Sequence, residues 1–318
     1  MTRKIATREA YGKALAELGG KNSRVVVLDA DLSKSTKTAD FAGVFPERFF
    51  NMGIAEQNLI GTAAGFAAAG KIPFASTFAV FATGRAFEQI RNSVAYTRLN
   101  VKIAATHAGV TVGEDGGSHQ SVEDIAVMRS LPNMTVFVPA DEAETYGAVE
   151  AAAEMEGPVY IRLGRAGAPP VHGEGFRFVP GRAVVLREGA DAAIIAAGIM
   201  VPAALEAAAA LAREGIEARV ISMHTIKPLD VEAVIKAARE TGALVTAEEH
   251  SVIGGLGGAV CEAVCENAPA PVRRVGLPDV FGESGTPDEL LNKFGLTPAA
   301  IANAVREAIK MRELGIGK

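Results

Sequence analysis

Cysteine, tryptophan and long apolar runs are scarce or missing in this sequence of 318 residues. It has no tryptophan, and its only cysteines are Cys261 and Cys265. Two cysteines cannot build a disulfide framework, so we expect a reducing compartment. The longest apolar candidate, residues 198–212, is broken by Pro202 and Glu206 and predicts a buried helix. With no apolar core behind the basic N-terminus, the sequence predicts a cytoplasmic protein that has no signal peptide and no membrane association.

Neither positive nor negative charge dominates the sequence. The chain has 32 basic and 37 acidic residues and a formal net charge of −5. A dedicated nucleic-acid binder needs a net or clustered positive field, so we do not expect nucleic acid as a partner. The hydrophobic fraction of 49% and the charged fraction of 22% exclude a wholly disordered chain.

Short β-branched runs alternate with helical segments along the chain, which predicts parallel sheets covered by helices on both faces. The fold class is therefore α/β, with two doubly wound domains. A stretch rich in glycine and proline separates them, so we expect a first domain over 1–165, a linker over 166–186 and a second domain over 187–318. The predicted strands are 25–28, 49–52, 73–76, 101–106, 135–138, 159–163, 192–197, 218–222, 244–247 and 272–275. The predicted helices are 7–18 (ended by Gly19-Gly20), 55–69, 84–98, 141–154, 202–214, 231–240, 258–265 and 298–311.

Polar residues gather where the predicted strands end, which is where open α/β sheets bind ligands. Residues 29–38, which include Asp31 and Ser35, offer hydroxyls and lysines that could hold a phosphate or form a solvated loop. Glu56 begins an almost wholly apolar helix. It could complement the helix dipole, or it could face a buried site and share a proton with a ring nitrogen. Phe78 and Phe81 could be core residues or a stacking platform for a heteroaromatic ring.

The glycine-dense segment 106–120 is the most informative part of the chain. It places His107, Asp115 and His119 in one loop after a predicted strand. Imidazoles can orient hydroxyls, move protons and stabilise an oxyanion, and their spacing here matches no standard zinc pattern. Arg162 and Arg165 lie at the end of the strand predicted over 159–163 and could bind phosphate or form a surface pair.

The segment 248–258 also has the form of a strand, a loop and a helix. Its glycines lack the spacing of a nucleotide-binding loop, so we expect Glu248, Glu249 and His250 to serve packing or a domain interface. Cys261 and Cys265 lie one helical turn apart and are expected to be small buried residues.

Taken in order, these residues resemble the C-terminal half of transketolase, a thiamine diphosphate enzyme. The resemblance covers nearly the whole chain, from residues 6–8 through Gly53-Ile54-Ala55-Glu56 and Gly113-Glu114-Asp115-Gly116-Gly117-Ser118-His119-Gln120 to the last helix. The glutamate segment is shared across related thiamine enzymes. The Thr106-His107 pair combined with the second segment points more narrowly to transketolase. The resemblance implies a pyrimidine-binding domain followed by a transketolase C-terminal domain.

The resemblance also implies a role for each matching residue. Catalysis would fall to Glu56, His107 and His119, with Glu56 acting on the aminopyrimidine ring of thiamine diphosphate. The residues implied to bind the cofactor are Asp31, Glu56, Phe78 and Phe81. Those implied to bind the sugar phosphate are Arg8, Ser35, His107, Asp115, His119 and Arg165.

Three departures from the family pattern are visible. Gly84 stands where many transketolases have a further aromatic residue, and Arg162 and the segment 248–250 look closer to the deoxyxylulose-phosphate synthase branch. The Gly-Asp-Gly…Asn motif for metal and diphosphate is absent, so we expect no metal ligands here. An N-terminal transketolase subunit would bring Mg²⁺ or Ca²⁺, and an α2β2 heterotetramer would assemble.

Two alternatives stay open. One is another thiamine enzyme subunit, resembling deoxyxylulose-phosphate synthase or a 2-oxoacid dehydrogenase β chain. His107 argues against the first of these. The other is a non-catalytic regulatory partner, which would need none of Glu56, His107, Asp115 and His119.

Overall fold

A computed structural model describes residues 3–173 and 175–315. Its strands are β1 Ile5–Ala6, β2 Val25–Asp29, β3 Phe49–Asn51, β4 Ile72–Phe78, β5 Lys102–Thr106, β6 Thr135–Phe137, β7 Val159–Arg162, β8 Gly167–Ala168, β9 Val184–Arg187, β10 Ala192–Ala196, β11 Ala218–Ser222, β12 Thr225–Lys227, β13 Leu244–Ser251 and β14 Val272–Leu277. Its α-helices are α1 Thr7–Lys21, α2 Ser33–Thr36, α3 Ala39–Val44, α4 Glu56–Ala68, α5 Phe87–Gln89, α6 Asp124–Ser130, α7 Glu142–Glu154, α8 Met200–Ala212, α9 Val231–Thr241, α10 Leu256–Asn267, α11 Pro287–Lys293 and α12 Pro298–Glu313.

The first domain is built on a seven-stranded sheet in the order β12-β6-β7-β5-β4-β2-β3. All of its pairings are parallel except that of β12 with β6. The central strands β2, β4 and β5 are buried along their whole length, which is why they read as continuous apolar runs in the sequence. The carboxyl ends of these three strands meet at one edge of the sheet and carry the candidate site.

The second domain is built on a five-stranded sheet in the order β14-β13-β10-β11-β9, with only β9 antiparallel. Helices cover both sheets, and the predicted α/β class with two doubly wound domains is confirmed. Within the stretch expected to link the domains, β8 pairs with β1 and β9 closes an edge of the second sheet.

One strand crosses between the domains. β12 follows β11 of the second domain, yet it pairs with β6 at the edge of the first domain's sheet. A hydrophobic cluster likewise includes Ile103 of the first domain and Ile195 of the second. The two domains therefore share both a sheet and a core.

Two helix predictions need correction. The first helix does not stop at Gly19-Gly20 but continues to Lys21. A Cβ on Gly19 would lie 2.4 Å from the Phe41 ring, so this glycine permits close packing and does not end the helix.

The helix predicted over 84–98 begins earlier and is irregular. π-helical turns at Phe81–Arg85 and Ile90–Ala95 flank the short α5. Within the first turn, the Thr83 hydroxyl donates to the Ala79 carbonyl and so competes with regular backbone pairing. In the described part of the chain, no helix has the length and apolar character needed to cross a membrane.

Candidate active site

The candidate site lies where β4 and β5 end. Phe78 is the last residue of β4, and Phe81 opens the helical turn that follows. His107 comes directly after β5, and Glu56 is the first residue of α4. The fold therefore brings together side chains from three separate segments of the chain.

An aromatic stack joins the two phenylalanines to both loop histidines. The His107 and Phe78 rings are stacked with centroids 3.8 Å apart, and Phe78 and Phe81 are stacked at 5.7 Å. His119 meets Phe81 edge-on at 5.4 Å. Phe78 is buried and Phe81 is half-buried, so part of the Phe81 side chain remains accessible.

His107 is a neutral imidazole at physiological pH. It is 3% exposed, and burial, followed by the charges of Arg8 and Arg165, lowers its pKa to about 3. Its Nε2 lies 3.3 Å from Arg8 Nη1, which can only donate, so Nε2 is an acceptor. Nδ1 then carries the proton and donates to the Thr106 hydroxyl at 2.8 Å. The backbone at His107 is left-handed (φ 57°), a conformation that non-glycine residues rarely adopt outside special sites.

Glu56 is 5% exposed and has an arginine partner that the sequence did not reveal. Arg85 Nη1 donates to Glu56 Oε1 at 3.0 Å, and the same guanidinium lies over the Phe81 ring, 4.1 Å from its centroid. Arg85 comes four residues after Phe81, a spacing that places two side chains on one side of a helical turn. The spacing of Phe81 and Arg85 is therefore the sequence feature from which this contact could have been predicted.

Arginines surround the histidines. Arg8 Nη1 also donates to the backbone carbonyl of Ser35 at 2.9 Å, so Ser35 reaches the site through its main chain. Arg165 Nη1 donates to Asp115 Oδ2 at 3.0 Å. Among the residues the structure describes, Arg8 Nε is buried and has no hydrogen-bond partner. Arg8 therefore brings a positive charge to the site, and this charge would favour an anionic ligand.

Asp31 is the one predicted site residue that no contact ties to this group in the described part of the chain. It is exposed, has a left-handed backbone (φ 64°) and accepts a hydrogen bond from Asn51. Its neighbour Asp29 is buried and accepts from the hydroxyls of Thr36 and Thr38, so hydroxyls considered for phosphate binding instead stabilise the loop.

Arg162 differs from both sequence interpretations, since it neither binds an open phosphate site nor lies on the surface. It is 6% exposed, and its Nε donates to Asp124 Oδ2 at 2.8 Å. The segment 248–250 serves packing and the domain interface, as predicted. Glu248 accepts the backbone N–H groups of Leu256 and Gly257 at the start of α10. Glu249 is buried against the first domain, and burial raises its pKa to about 6.

The cysteines are less buried than expected. Cys265 is exposed and Cys261 is half-buried, and both are free thiols. In residues 3–173 and 175–315 no three histidine, cysteine, aspartate or glutamate side chains are grouped in a way that could hold a metal ion.

Two family models match the chain. The transketolase pyrimidine-binding domain matches residues 3–170, and the transketolase C-terminal domain matches residues 181–301. The chain belongs to the transketolase family.

Similar proteins include chains that are named as transketolase subunits. The 6-deoxy-6-sulfo-D-fructose transketolase subunit of Clostridium sp. (strain MSTE9) is 47% identical over 305 residues, which cover 96% of this chain and 95% of that one. An apulose-4-phosphate transketolase subunit of Phocaeicola vulgatus is 41% identical over 307 residues, covering 96% and 98%. Among solved structures, a split-gene transketolase described as an inactive β4 tetramer has a TM-score of 0.91 and 64% identity, covering 96% of this chain and 99% of its own.

Proposed function

We propose that this chain is the C-terminal subunit of a two-chain transketolase that transfers a two-carbon ketol unit from a ketose phosphate to an aldose phosphate. The observation that carries the proposal is the continuous set of contacts from Glu56 through Arg85 and Phe81 to His119, and through Phe78 to His107. A carboxylate, a pair of stacked aromatic rings and two imidazoles thus share one site.

These groups fit the pyrimidine half of thiamine diphosphate. A shielded carboxylate suits a ring nitrogen that must share a proton, and the half-buried Phe81 beside Phe78 suits contact with a flat heterocycle. When bound, the cofactor supplies the electron sink for breaking and forming the carbon–carbon bond. Glu56 would hold the proton at the ring nitrogen, and Phe78 and Phe81 would hold the ring. Asp31 is the least supported cofactor contact.

The remaining side chains suit a polyhydroxylated, anionic substrate. His107, His119 and Asp115 can donate to or accept from sugar hydroxyls and move protons between them. Arg8 and Arg165 would bind the phosphate, since both guanidinium charges act on His107 and so lie close to the site. The Ser35 backbone helps to orient Arg8. Because burial and the charges of Arg8 and Arg165 keep His107 neutral, the imidazole would act on the sugar as a neutral hydrogen-bonding group.

We propose that an N-terminal subunit supplies the metal and diphosphate site and that the assembly is α2β2. The chain lacks the family's Gly-Asp-Gly…Asn motif, and two relatives are named as single subunits. The similar split-gene chain is described as inactive in its β4 form. Ile54, two residues before Glu56, is 77% exposed, an apolar side chain that a partner could cover.

The test compares this chain alone with the chain mixed with an N-terminal transketolase subunit. Both samples receive thiamine diphosphate, Mg²⁺, xylulose 5-phosphate and ribose 5-phosphate, and the transfer products are measured. We expect ketol transfer only from the mixture. Full activity from this chain alone would contradict the partner requirement. Because the relatives are named for different sugars, the assay is repeated with other ketose phosphates and a sulfonated ketose before inactivity counts against the proposal.

A further inference from the structure

The loop that carries His107, Asp115 and His119 is pressed against the second domain along its length. We call residues 107–120 the donor loop. A Cβ on Gly109 would lie 2.2 Å from Glu249 Cδ, and a Cβ on Gly117 would lie 2.5 Å from the Gly282 carbonyl oxygen. Such distances are shorter than real side chains tolerate, so glycines occur where the second domain approaches the loop most closely.

Two hydrogen bonds, one buried and one partly buried, join the donor loop to the second domain. Glu249 Oε1 accepts from the Thr111 backbone N–H at 2.7 Å. Gln120 Nε2 donates to the Glu283 backbone carbonyl at 2.9 Å, and also lies 3.3 Å from the carbonyls of Val110 and Gly113. Gln120 therefore ties the loop to itself and to the second domain at once.

A residue of the first domain, Arg162, in turn fixes the position of Glu249. Arg162 Nη2 donates to the Glu249 backbone carbonyl at 2.8 Å, while Arg162 Nε binds Asp124. Because Glu249 is only 3% exposed, its carboxylate loses most of its hydration and depends on the Thr111 N–H and the nearby Arg162 charge for compensation. Because this buried carboxylate has little water to bind instead, it holds the Thr111 backbone N–H in a defined position.

We propose that Glu249 and Gln120 are positioning residues through which the C-terminal domain sets the place of His107, Asp115 and His119. The inference rests on the proposed function, because it treats the donor loop as the part that binds the sugar. The loop residues contact substrate, and Glu249 acts on them only through the Thr111 backbone. Displacing catalytic groups by about 1 Å can cost on the order of a hundredfold in rate, so the loss of this support has a measurable effect.

The test uses the full chain with its partner subunit and compares Glu249→Ala, Glu249→Gln and Ser222→Ala. Ser222 is the matched control. Its hydroxyl donates to Glu144 Oε1 at 2.7 Å, a buried bond between the same two domains that involves no donor-loop residue. For each variant kcat and the KM for xylulose 5-phosphate are measured separately, together with the thermal midpoint.

A second readout needs no activity. The side chain of Glu114 is 63% exposed within the donor loop, so a glutamate-specific protease can report how well the loop is held. Cleavage after Glu114 is followed by mass spectrometry on this chain alone. Cleavage after Glu47, whose side chain is 67% exposed outside the loop, is the internal reference.

We expect Glu249→Ala to raise the KM for the donor about tenfold or more and to speed cleavage after Glu114 relative to Glu47. Glu249→Gln keeps an acceptor oxygen for Thr111 and should stay within about threefold of wild type in both measurements. Ser222→Ala should lower the thermal midpoint without changing either one. If Glu249→Ala does not fold, Gln120→Ala takes its place with the same expectation.

Equal behaviour of Glu249→Ala and Ser222→Ala in KM and in cleavage would overturn the inference, since Glu249 would then only stabilise the fold. An inactive wild-type assembly would count against the proposed function. The protease comparison would still show whether the second domain holds the loop.

Discussion

The rings of His107 and Phe78 are stacked with their centroids 3.8 Å apart, and this contact helps to exclude water from the imidazole. Arg8 Nη1 approaches Nε2 of the same imidazole at 3.3 Å. His107 is thereby fixed as a neutral imidazole whose Nε2 accepts a hydrogen bond from a cation.

The buried state of His107 predicts a specific pH dependence of stability. Its folded pKa of about 3 lies below the ordinary histidine value of 6.5, so the stabilising effect of the neutral form is complete above pH 6.5. This stabilisation is lost as the pH falls towards 3, because the unfolded chain binds the proton at a higher pH than the folded chain does. The free energy of unfolding then falls by up to about 1.4 kcal/mol per pH unit. His107→Gln removes this titration. Urea unfolding at pH 5 and pH 7 should show a smaller pH difference for the variant, and equal differences would contradict a neutral buried His107.

Glu56→Gln tests the carboxylate directly. The variant keeps the shape of the side chain and can still accept a hydrogen bond from Arg85, but it cannot hold a shared proton. We expect kcat of the assembled enzyme to fall by about 10²- to 10⁴-fold, with the assembly unchanged in size-exclusion chromatography. Glu47→Gln, which removes the charge of an exposed carboxylate outside the site, is the matched control and should leave both turnover and assembly unchanged. Unimpaired turnover by Glu56→Gln would remove this residue from its role.

The buried pair of Asp124 and Arg162 predicts a large effect from breaking one side only. Asp124→Ala leaves an arginine that is 6% exposed without its carboxylate, and should cost about 3–5 kcal/mol of unfolding free energy. Replacing both residues, with Asp124→Leu and Arg162→Met, should recover part of that loss. Chemical denaturation measures all three proteins. A negligible effect of Asp124→Ala would mean that water or another group compensates the arginine.

Gly109 and Gly43 form a matched pair for testing the contact with the second domain. Gly109 has a φ of 83°, and a Cβ there would strike the Glu249 carboxylate, whereas a Cβ on Gly43 in α3 would meet nothing within 4 Å. Gly109→Ala should therefore destabilise the chain by about 2 kcal/mol or more. Gly43→Ala should be neutral or stabilising by about 0.5–1 kcal/mol. Similar unfolding midpoints for the two variants would show that the loop can move away from Glu249.

The sequence predicted most of the sheet and many of the residues that the fold groups in the candidate site, for a physical reason. Buried parallel strands such as β2 and β10 are continuous apolar runs, and ligand-binding side chains follow the ends of such strands. Glu56, Phe81, His107 and His119 were recognisable because their side-chain types carry chemistry and lie in short, distinctive segments.

What escaped prediction depends on contacts between distant parts of the chain. Glu249 and Thr111 are 138 residues apart, and no local pattern records that they meet. Arg85 resembles an ordinary surface arginine until the π-helical turn brings it over Phe81. β12 has only three residues and no alternation to reveal that it pairs with β6.

The placement of β12 bears on how the polypeptide can be divided. A cut between residues 173 and 181 would leave an N-terminal fragment without the strand that covers β6, and its sheet would end in an open row of backbone donors and acceptors. We expect such a fragment to aggregate when expressed by itself and the intact chain to melt in one calorimetric transition. The boundary between the two family domains therefore does not separate two independently folding units. If the chain were divided there, we expect the separate fragments to be insoluble.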